Sequence, residues 1–585
     1  MNLAGFSERM VSLRELVALH SQKILLGAVS IVVICLVLPP IAILLFSSIR
    51  STANRLPFEV TTFTVANYLQ VFTSGATYRM LLNTAWFASG TIIVAMGLSI
   101  IFAWFLERTN VPFRRLLFVL ILSPMGMPVI IVGMGWILLA NPANGLFNVI
   151  LRELFGLTGP GPINIYSIPG MILIAALGFV PMIYIMISGV FSRVDPSLEE
   201  AARTSGAGIW ATFRQVSMPL VSPAVFAAVI YYFVRAMEIF EIPALLGMPK
   251  GIYVFSSAIY YAINPAHGEL LPNYGMASTY GVILLAVAGV FVYLYSRYIK
   301  HGERFATVTG RGYRPHLIDL GRWKFVPVVI MTGYFVLAVA MPFLILFWTS
   351  IAPAFTAISF SALSRVNLNA YREMMNSPQL WIALNNTIII AISAAMIGMF
   401  LVTLVSWLSI RGEVRGAWIP DRLAFMVVGV PGIVLALALI FIYTVLPIPI
   451  YGTIWIIVIA VTTTCLPFGT RQMGAAFIQI HRELEEAAGT SGAKLWHTFS
   501  RVVLPLLWPS FVRGFLWMFV RSIRDTSIAL MLYAVGNQTL GVILWFLWME
   551  EAEFRIASAI AVPLVMVTMA LTFLVARQTM VVEGG

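Results

Sequence analysis

The chain has 585 residues, 60% of them hydrophobic and 10% charged, with a mean hydropathy of +0.93, whereas soluble domains carry about 25% charged residues. That composition excludes a water-soluble globular enzyme and points to a polytopic membrane protein. The net charge of +12 does not mark a nucleic-acid surface: the basic residues are spread over short loops between apolar runs and form no patch with interleaved aromatics, so no nucleic-acid partner is expected.

Residues 1–23, "MNLAGFSERMVSLRELVALHSQK", read as a polar, amphipathic cytoplasmic segment. The apolar run at 24–49 is long enough to span a bilayer. It has no small-residue cleavage site, so it reads as a retained first helix and not a signal peptide. Further spans are predicted at 81–106, 115–140, 168–191, 220–246 and 275–299, then at 325–350, 383–410, 421–446, 451–479, 505–533 and 556–576. They must be helices, because open strands cannot satisfy their backbone in lipid. The expected fold class is therefore all-α, with about twelve transmembrane helices. Lys and Arg concentrate on the side that holds both termini and the linker, which reads as cytoplasmic; the stretch 297–324 alone carries seven of the 36. Cys35 and Cys465 lie in different apolar runs, and no disulfide framework is expected.

The chain is written twice. Residues 199–220, "EEAARTSGAGIWATFRQVSMPL", return at 485–506 as "EEAAGTSGAKLWHTFSRVVLPL", with 14 of 22 positions identical. At a spacing of 303, Asn83-Thr84 falls over Asn386-Thr387, Trp104 over Trp407 and Pro128 over Pro431. The spacing then drops to 286, because the first half has 17 extra residues in an outer loop near "NPANGLFNVILRELFGLTGPGPIN". Six spans per half, an even number, give two parallel repeats related by an axis along the membrane normal. The expected organisation is a cytoplasmic segment 1–23, a first repeat 24–299 (core 81–299, loop 193–219), a basic linker 300–324, and a second repeat 325–578 (core 383–578, loop 480–505).

The repeated segment is polar where its surroundings are apolar. Glu199, Glu200, Ala201 and Ala202 suit the first turn of a short helix, as do Glu485, Glu486, Ala487 and Ala488, since carboxylates favour a helix's positive end. Gly206 and Gly492 permit a tight turn or a close backbone approach. Trp210 and Trp496 each precede a Phe by three residues and share its face, and Pro219 and Pro505 stand before the next span. The pattern predicts a short helix, a Gly break, a second short helix and re-entry into the membrane. An amphipathic loop merely resting on the bilayer is the plainer alternative. However, the halves are most alike here while the spans around have drifted apart, and within one sequence that contrast marks the loop as constrained.

The motif Glu-Ala-Ala, three residues, Gly, nine residues, a β-branched residue, one residue, a hydrophobe and Pro resembles the signature of permeases of ATP-binding-cassette importers. Glu200-Ala201-Ala202, Gly206, Val216 and Met218-Pro219 fit it, and so do Glu486-Ala487-Ala488, Gly492, Val502 and Leu504-Pro505. Val stands twice for the commoner Ile, and Met218 for Leu. The resemblance covers nearly the whole chain and implies a type I importer permease fold in which two permease domains are fused. It implies that each loop is a coupling helix docked on a dimer of separate ATPase subunits that bind ATP and Mg, with a periplasmic solute-binding protein outside and the chain in a bacterial inner membrane. The fused form, with "PALLGMPKGIYVFSSAIYYAI" and "PNYGMAS", is similar to ferric-iron importer permeases; thiamine, organophosphonate and sugar-phosphate permeases lie close by.

The chain has no G-x-x-x-x-G-K-[ST] phosphate loop, no HExxH and no Cys/His cluster. Its six histidines are scattered, and neither a cofactor, a resident metal nor a catalytic residue is expected on this chain. Charges inside spans are costly, about 2.5–3.5 kcal/mol at a helix centre on insertion scales, and are functional suspects. The fifth span holds Arg235, Glu238 and Glu241, and the eleventh Arg521, Arg524 and Asp525; Arg235 and Arg521 are equivalent in the repeat. They begin about 22 Å into the bilayer at 1.5 Å per residue. They either line a polar path between the halves or clamp the halves by ion pairs. A secondary transporter driven by an ion gradient is the alternative of another class, but it needs no duplicated docking loop.

Overall fold

The computed structural model describes residues 3–51, 55–192, 195–264, 272–302, 317–353, 364–412, 414–493 and 495–583. Among these, ten helices are long and apolar enough to cross a membrane, and two more pairs qualify only when a sharply bent pair is taken as one span. The expected all-helical architecture is what the chain adopts. Two of the twelve predicted spans are sharply bent, and two stop early. The run at 115–140 divides into Arg114–Gly126 and Val129–Ala140, bent by 97°, and that at 421–446 into Ile419–Gly429 and Gly432–Val445, bent by 110°. Pro128 and Pro431 stand at the two corners in extended conformation. A proline has no N–H to continue a helix and biases the residue before it away from helical angles. The fifth and eleventh spans stop early: their helices end at Glu238 and Arg524. Short helices follow, Phe255–Ile263 in the first half and Leu540–Met549 in the second.

The residues gather into two compact units, neither contiguous in sequence. One comprises Met1–Phe46, Asn385–Ile523 and Met531–Asn537; the other comprises Ser47–Leu384, Arg524–Leu530 and Gln538–Gly585. These units cut across the two sequence repeats. The first helix of the chain groups with the core of the second repeat, and the first span of the second repeat groups with the core of the first.

In the larger unit, helices Gly75–Arg108 and Ile168–Phe191 lie side by side around a core that includes Phe87, Phe102, Ile174, Ile183 and Tyr184. Ser99 Oγ donates to the Val180 carbonyl at 3.1 Å across this interface. The incoming span of the second repeat is held here too. Tyr334 Oη donates to the Leu177 carbonyl at 2.8 Å, and its ring meets Phe102 edge-on at 5.4 Å. Pro342 comes so close to Gly135 that a Cβ there would stand 2.7 Å from its ring; only glycine allows that approach. In the smaller unit, Ser406 Oγ donates to the Thr470 carbonyl at 3.1 Å, and Met518 fills the space beside Gly469 and Gly398.

The repeated Asn-Thr pair has a structural reason. Asn83 Nδ2 donates to the Tyr253 carbonyl at 3.1 Å, and Asn386 Nδ2 to the Gly536 carbonyl at 3.0 Å, so each ties its long helix to the loop beyond the interrupted span. The end of the linker is ordered as well: Ile318 bridges Thr109, Asn110 Nδ2 donates to Asp319 Oδ1 at 2.5 Å, and the Leu320 N–H returns to Asn110 Oδ1 at 3.0 Å. Linker residues 303–316 lie outside the described residues.

Candidate functional site: two elbows and a polar cluster at the helix breaks

Each repeated segment folds as the pattern predicts. In the first, helix Pro196–Thr204 is followed by Ile209–Thr212, one π-helical turn Phe213–Ser217, and the membrane helix Met218–Glu238. In the second, Glu483–Thr490, Leu495–Thr498, Phe499–Val503 and Leu504–Arg524 follow in the same order. The widened turns sit just before Pro219 and Pro505, whose missing N–H interrupts the regular ladder. Asp195 caps the first helix, its Oδ1 accepting from the Ser197 N–H at 2.9 Å. That bond holds its exposed carboxyl below the usual carboxylate range.

Gly206 and Gly492 have φ of +92° and +85°. Gly206 ends its helix in a Schellman turn: its N–H donates to the Arg203 carbonyl at 2.9 Å, and the Ala207 N–H to the Ala202 carbonyl at 3.0 Å. Ala493 N–H to the Ala488 carbonyl, 3.0 Å, repeats the second of these bonds. Among the described residues, no atom beyond the immediate chain neighbours lies within 4 Å of where a Cβ would stand on either glycine. The backbone here is bare toward solvent, as a surface approached by another backbone must be.

Beneath each elbow lies an ion pair, fully buried in the first half and partly buried in the second. The Arg108 guanidinium, in the last turn of its helix, stands 3.7 Å from Glu199, with the two side chains 3% and 5% exposed. Arg108 also donates to the Phe191 carbonyl at 2.7 Å, and Ser217 Oγ donates to Glu199 Oε1 at 2.6 Å. The second half repeats this with Arg411, 3.1 Å from Glu485 and 3.1 Å from the Phe477 carbonyl. Arg108 and Arg411 are 303 apart; Glu199 and Glu485, like Phe191 and Phe477, are 286 apart. The same two spacings that define the repeat therefore converge on one pin, written twice. A ladder of rings accompanies it: exposed Trp210 stacks on Phe213 at 5.3 Å, and Phe213 meets buried Trp104 at 5.1 Å. Trp407 meets Phe499 at 5.3 Å in the second half; the side chain of Trp496 lies outside the described residues.

The predicted docking residues thus divide into two kinds. Glu199 and Glu485 support the elbow from beneath. Glu486 stays outward, 3.7 Å from Arg482 one turn earlier, and Glu200 is half-buried. Ala201 and Ala487 are exposed, Ala202 and Ala488 partly so, and Pro219 and Pro505 are exposed where the chain re-enters the membrane.

The intramembrane charges are drawn to the helix breaks. Arg235 pairs with Glu238, as the i, i+3 spacing predicts, in the last turn of its helix. Cations there complement the negative end of the helix dipole. Glu241 stands past the break and accepts from Ser527 Oγ at 2.6 Å. The helix ends at Arg524, so Asp525 lies past it and its carboxylate accepts from the Ile528 N–H at 3.0 Å. Arg524 donates to the Met127 carbonyl at 3.0 Å, beside the Pro128 corner. Arg521 lies in the other compact unit, 3.4 Å from Thr464 Oγ1 and over the Trp517 ring at 5.8 Å. Among the described residues no group of three His, Cys, Asp or Glu side chains could hold a metal ion.

Two repeats of membrane helices, each with a polar elbow and an interrupted span carrying charge, define the frame of a membrane transport protein. The chain belongs to the family of binding-protein-dependent transport system inner membrane components, which matches it twice, at residues 95–304 and 406–582. It is a multi-pass permease of the ATP-binding-cassette importer class, in fused two-domain form. It is similar to a putative ferric transport system permease protein, FbpB 1, of Haemophilus influenzae, 25% identical over 536 residues, 90% of this chain and 81% of that one. It is also similar to the ferric transport system permease protein FbpB of Actinobacillus pleuropneumoniae, 26% identical over 525 residues, 88% of this chain and 73% of that one. A third relative, the molybdenum transport system permease protein ModB of Escherichia coli, is 30% identical over 185 residues, 31% of this chain and 78% of that one.

Proposed function

We propose that this chain is the membrane half of an ATP-driven ferric-iron importer. Its two elbows dock on a dimer of ATPase subunits, where ATP and Mg are bound. A periplasmic binding protein hands the ion to its outer face. Both termini and residues 297–324 are cytoplasmic. The observation that carries the docking reading is the duplicated pin: each elbow is fastened to its own long membrane helix by an Arg–Glu pair beneath it, so a displacement of the elbow moves the helix with it. A loop merely resting on lipid needs no such fastening.

Iron is favoured because the relatives named for ferric transport cover most of the chain, whereas the molybdenum permease matches under a third of it. The carboxylates Glu238, Glu241 and Asp525 are hard oxygen donors of the kind a small, highly charged cation prefers. Thiamine, an organophosphonate or a sugar phosphate are the competing cargoes.

The test is uptake by proteoliposomes that hold the chain and its ATPase. Ferric-loaded binding protein is supplied outside the vesicles at the periplasmic face, and ATP is supplied at the ATPase. Radiolabelled iron should accumulate only with ATP. Uptake of a competing cargo without iron would overturn the substrate; uptake driven by an ion gradient without ATP would overturn the class. Orientation is tested in intact cells with single cysteines and an impermeant thiol reagent. Leu157→Cys, exposed in the outer loop, should label, and Arg311→Cys should not; the reverse pattern would invert the topology.

A further inference from the structure

Glu241 and Ser527 are 286 residues apart, which is the spacing of the repeat in this region. They are therefore equivalent positions in the two halves, and Ser527 Oγ donates directly to Glu241 Oε1 at 2.6 Å. For two parts related by a two-fold, the midpoint between a point and its image lies on the axis. Equivalent positions can touch only where the axis passes, as at the centre of an isologous interface. In a permease of parallel repeats that axis runs along the membrane normal, with substrate sites at the interface between the repeats.

The surroundings fit a constriction. Glu241 sits in the break after the helix Met218–Glu238, and Ser527 opens the short helix Ser527–Met531 after the matching break. Interrupted helices in a membrane are tolerated where backbone lines a cavity or is buried in protein. Phe240, fully buried beside Glu241, packs on Tyr260 at 5.0 Å and on Trp545 at 5.7 Å. Gly541, in the short helix after the second break, stands so near Thr526 that a Cβ would lie 2.6 Å from its hydroxyl. The pair is asymmetric in chemistry: one half supplies a carboxylate and the other a hydroxyl. Two carboxylates on the axis would repel one another, and two hydroxyls would offer a cation no charge.

We propose that Glu241 and Ser527 form a gate on the local two-fold, closed by their hydrogen bond, and that the cargo passes when it parts. This deepens the importer reading above and rests on it. A gate of this kind is bistable through one bond, so it costs little to open when the elbows move.

The test uses the full complex, with Cys35→Ser and Cys465→Ser as background. The double variant Glu241→Cys, Ser527→Cys should cross-link with a short thiol-specific bis-reagent in the nucleotide-free state. The cross-linked complex should lose binding-protein-stimulated ATP hydrolysis and uptake, and a cleavable reagent should restore both on reduction. An assembled complex that does not cross-link, or one that transports while cross-linked, would overturn the gate. If the double variant fails to assemble, Ser527→Ala decides. Losing one net hydrogen bond from the closed state should raise basal ATP hydrolysis, without binding protein, by about two- to tenfold. An unchanged basal rate would also overturn the gate. A wild-type complex that binding protein never stimulates speaks against the importer reading itself. A stimulated wild type with a silent cross-link speaks against the gate alone.

Discussion

Replacing both bare glycines, Gly206→Asp together with Gly492→Asp, should abolish binding-protein-stimulated ATP hydrolysis while leaving the chain inserted and folded. Asp is chosen because it tolerates positive φ better than most residues. At φ of +92° and +85° the backbone strain should cost about 1 kcal/mol per site. Among the described residues no atom beyond the chain neighbours lies within 4 Å of either new Cβ, so no packed side chain there is displaced. What the side chain does meet, on the proposed reading, is the ATPase groove, where it adds volume and an unpaired carboxylate. The measurement is the ATPase rate of the reconstituted complex with and without loaded binding protein, beside a thermal melt of the detergent-solubilised chain. Full stimulation in the double variant would show that these elbows are not the coupling element. A melt lowered far beyond the backbone cost would show that the glycines serve the fold instead.

Arg108→Ala should be the most damaging single change under the elbows. It strips the Glu199 carboxylate of its ion-pair partner in a place where both side chains are at most 5% exposed. Removing one member of a buried pair costs about 3–5 kcal/mol, because the other charge is left uncompensated. Adding Glu199→Gln removes that stranded charge, and Ser217 Oγ can still donate to the amide oxygen. The double variant should therefore be more stable than Arg108→Ala alone, which a double-mutant cycle on thermal unfolding would read. Arg411→Ala should cost less, because Arg411 and Glu485 are 13% and 16% exposed and water can take up part of the loss. Coupling is the separate readout. If the pair is a mechanical pin, the double variant should regain stability and still show weakened stimulation. Recovery of both would reduce the pair to a fold-stabilising contact.

Much of this was legible in the sequence because a duplicated chain reads as its own alignment. The elbows showed in "EEAA…TSGA", and the positive-φ turns at Gly206 and Gly492 followed from glycine after a helical turn. Trp104 and Trp407 were found by spacing, and the structure gives them their partners, Phe213 and Phe499. Arg108 was passed over. It looked like one more basic residue in a cytoplasmic loop, although the 303 spacing that aligns Trp104 with Trp407 also aligns Arg108 with Arg411. Hydropathy counted the runs at 115–140 and 421–446 as spans without their bends, since it registers apolar content and not direction. Pro128 and Pro431 carried the missing information. The exchange of first helices had no local signal, because Tyr334 and Pro342 meet Leu177 and Gly135, which lie more than 150 residues away.

That exchange has a consequence for how the protein is made. The helix of residues 22–48 is the most apolar of the candidate spans, with mean hydropathy 3.0. Its compact unit cannot form until Asn385–Ile523 have emerged. At synthesis rates of about 5–20 residues per second the wait is roughly 25–95 s. During that interval the helix must persist alone in lipid, where a stretch whose one charge, Lys23, lies at its very end is stable without partners. The segment Asn385–Ile523, by contrast, carries Arg471, Arg513 and Arg521 into the bilayer and finds its neighbour already waiting. The order of the genetic message thus places the helix best able to survive by itself ahead of the ones that cannot.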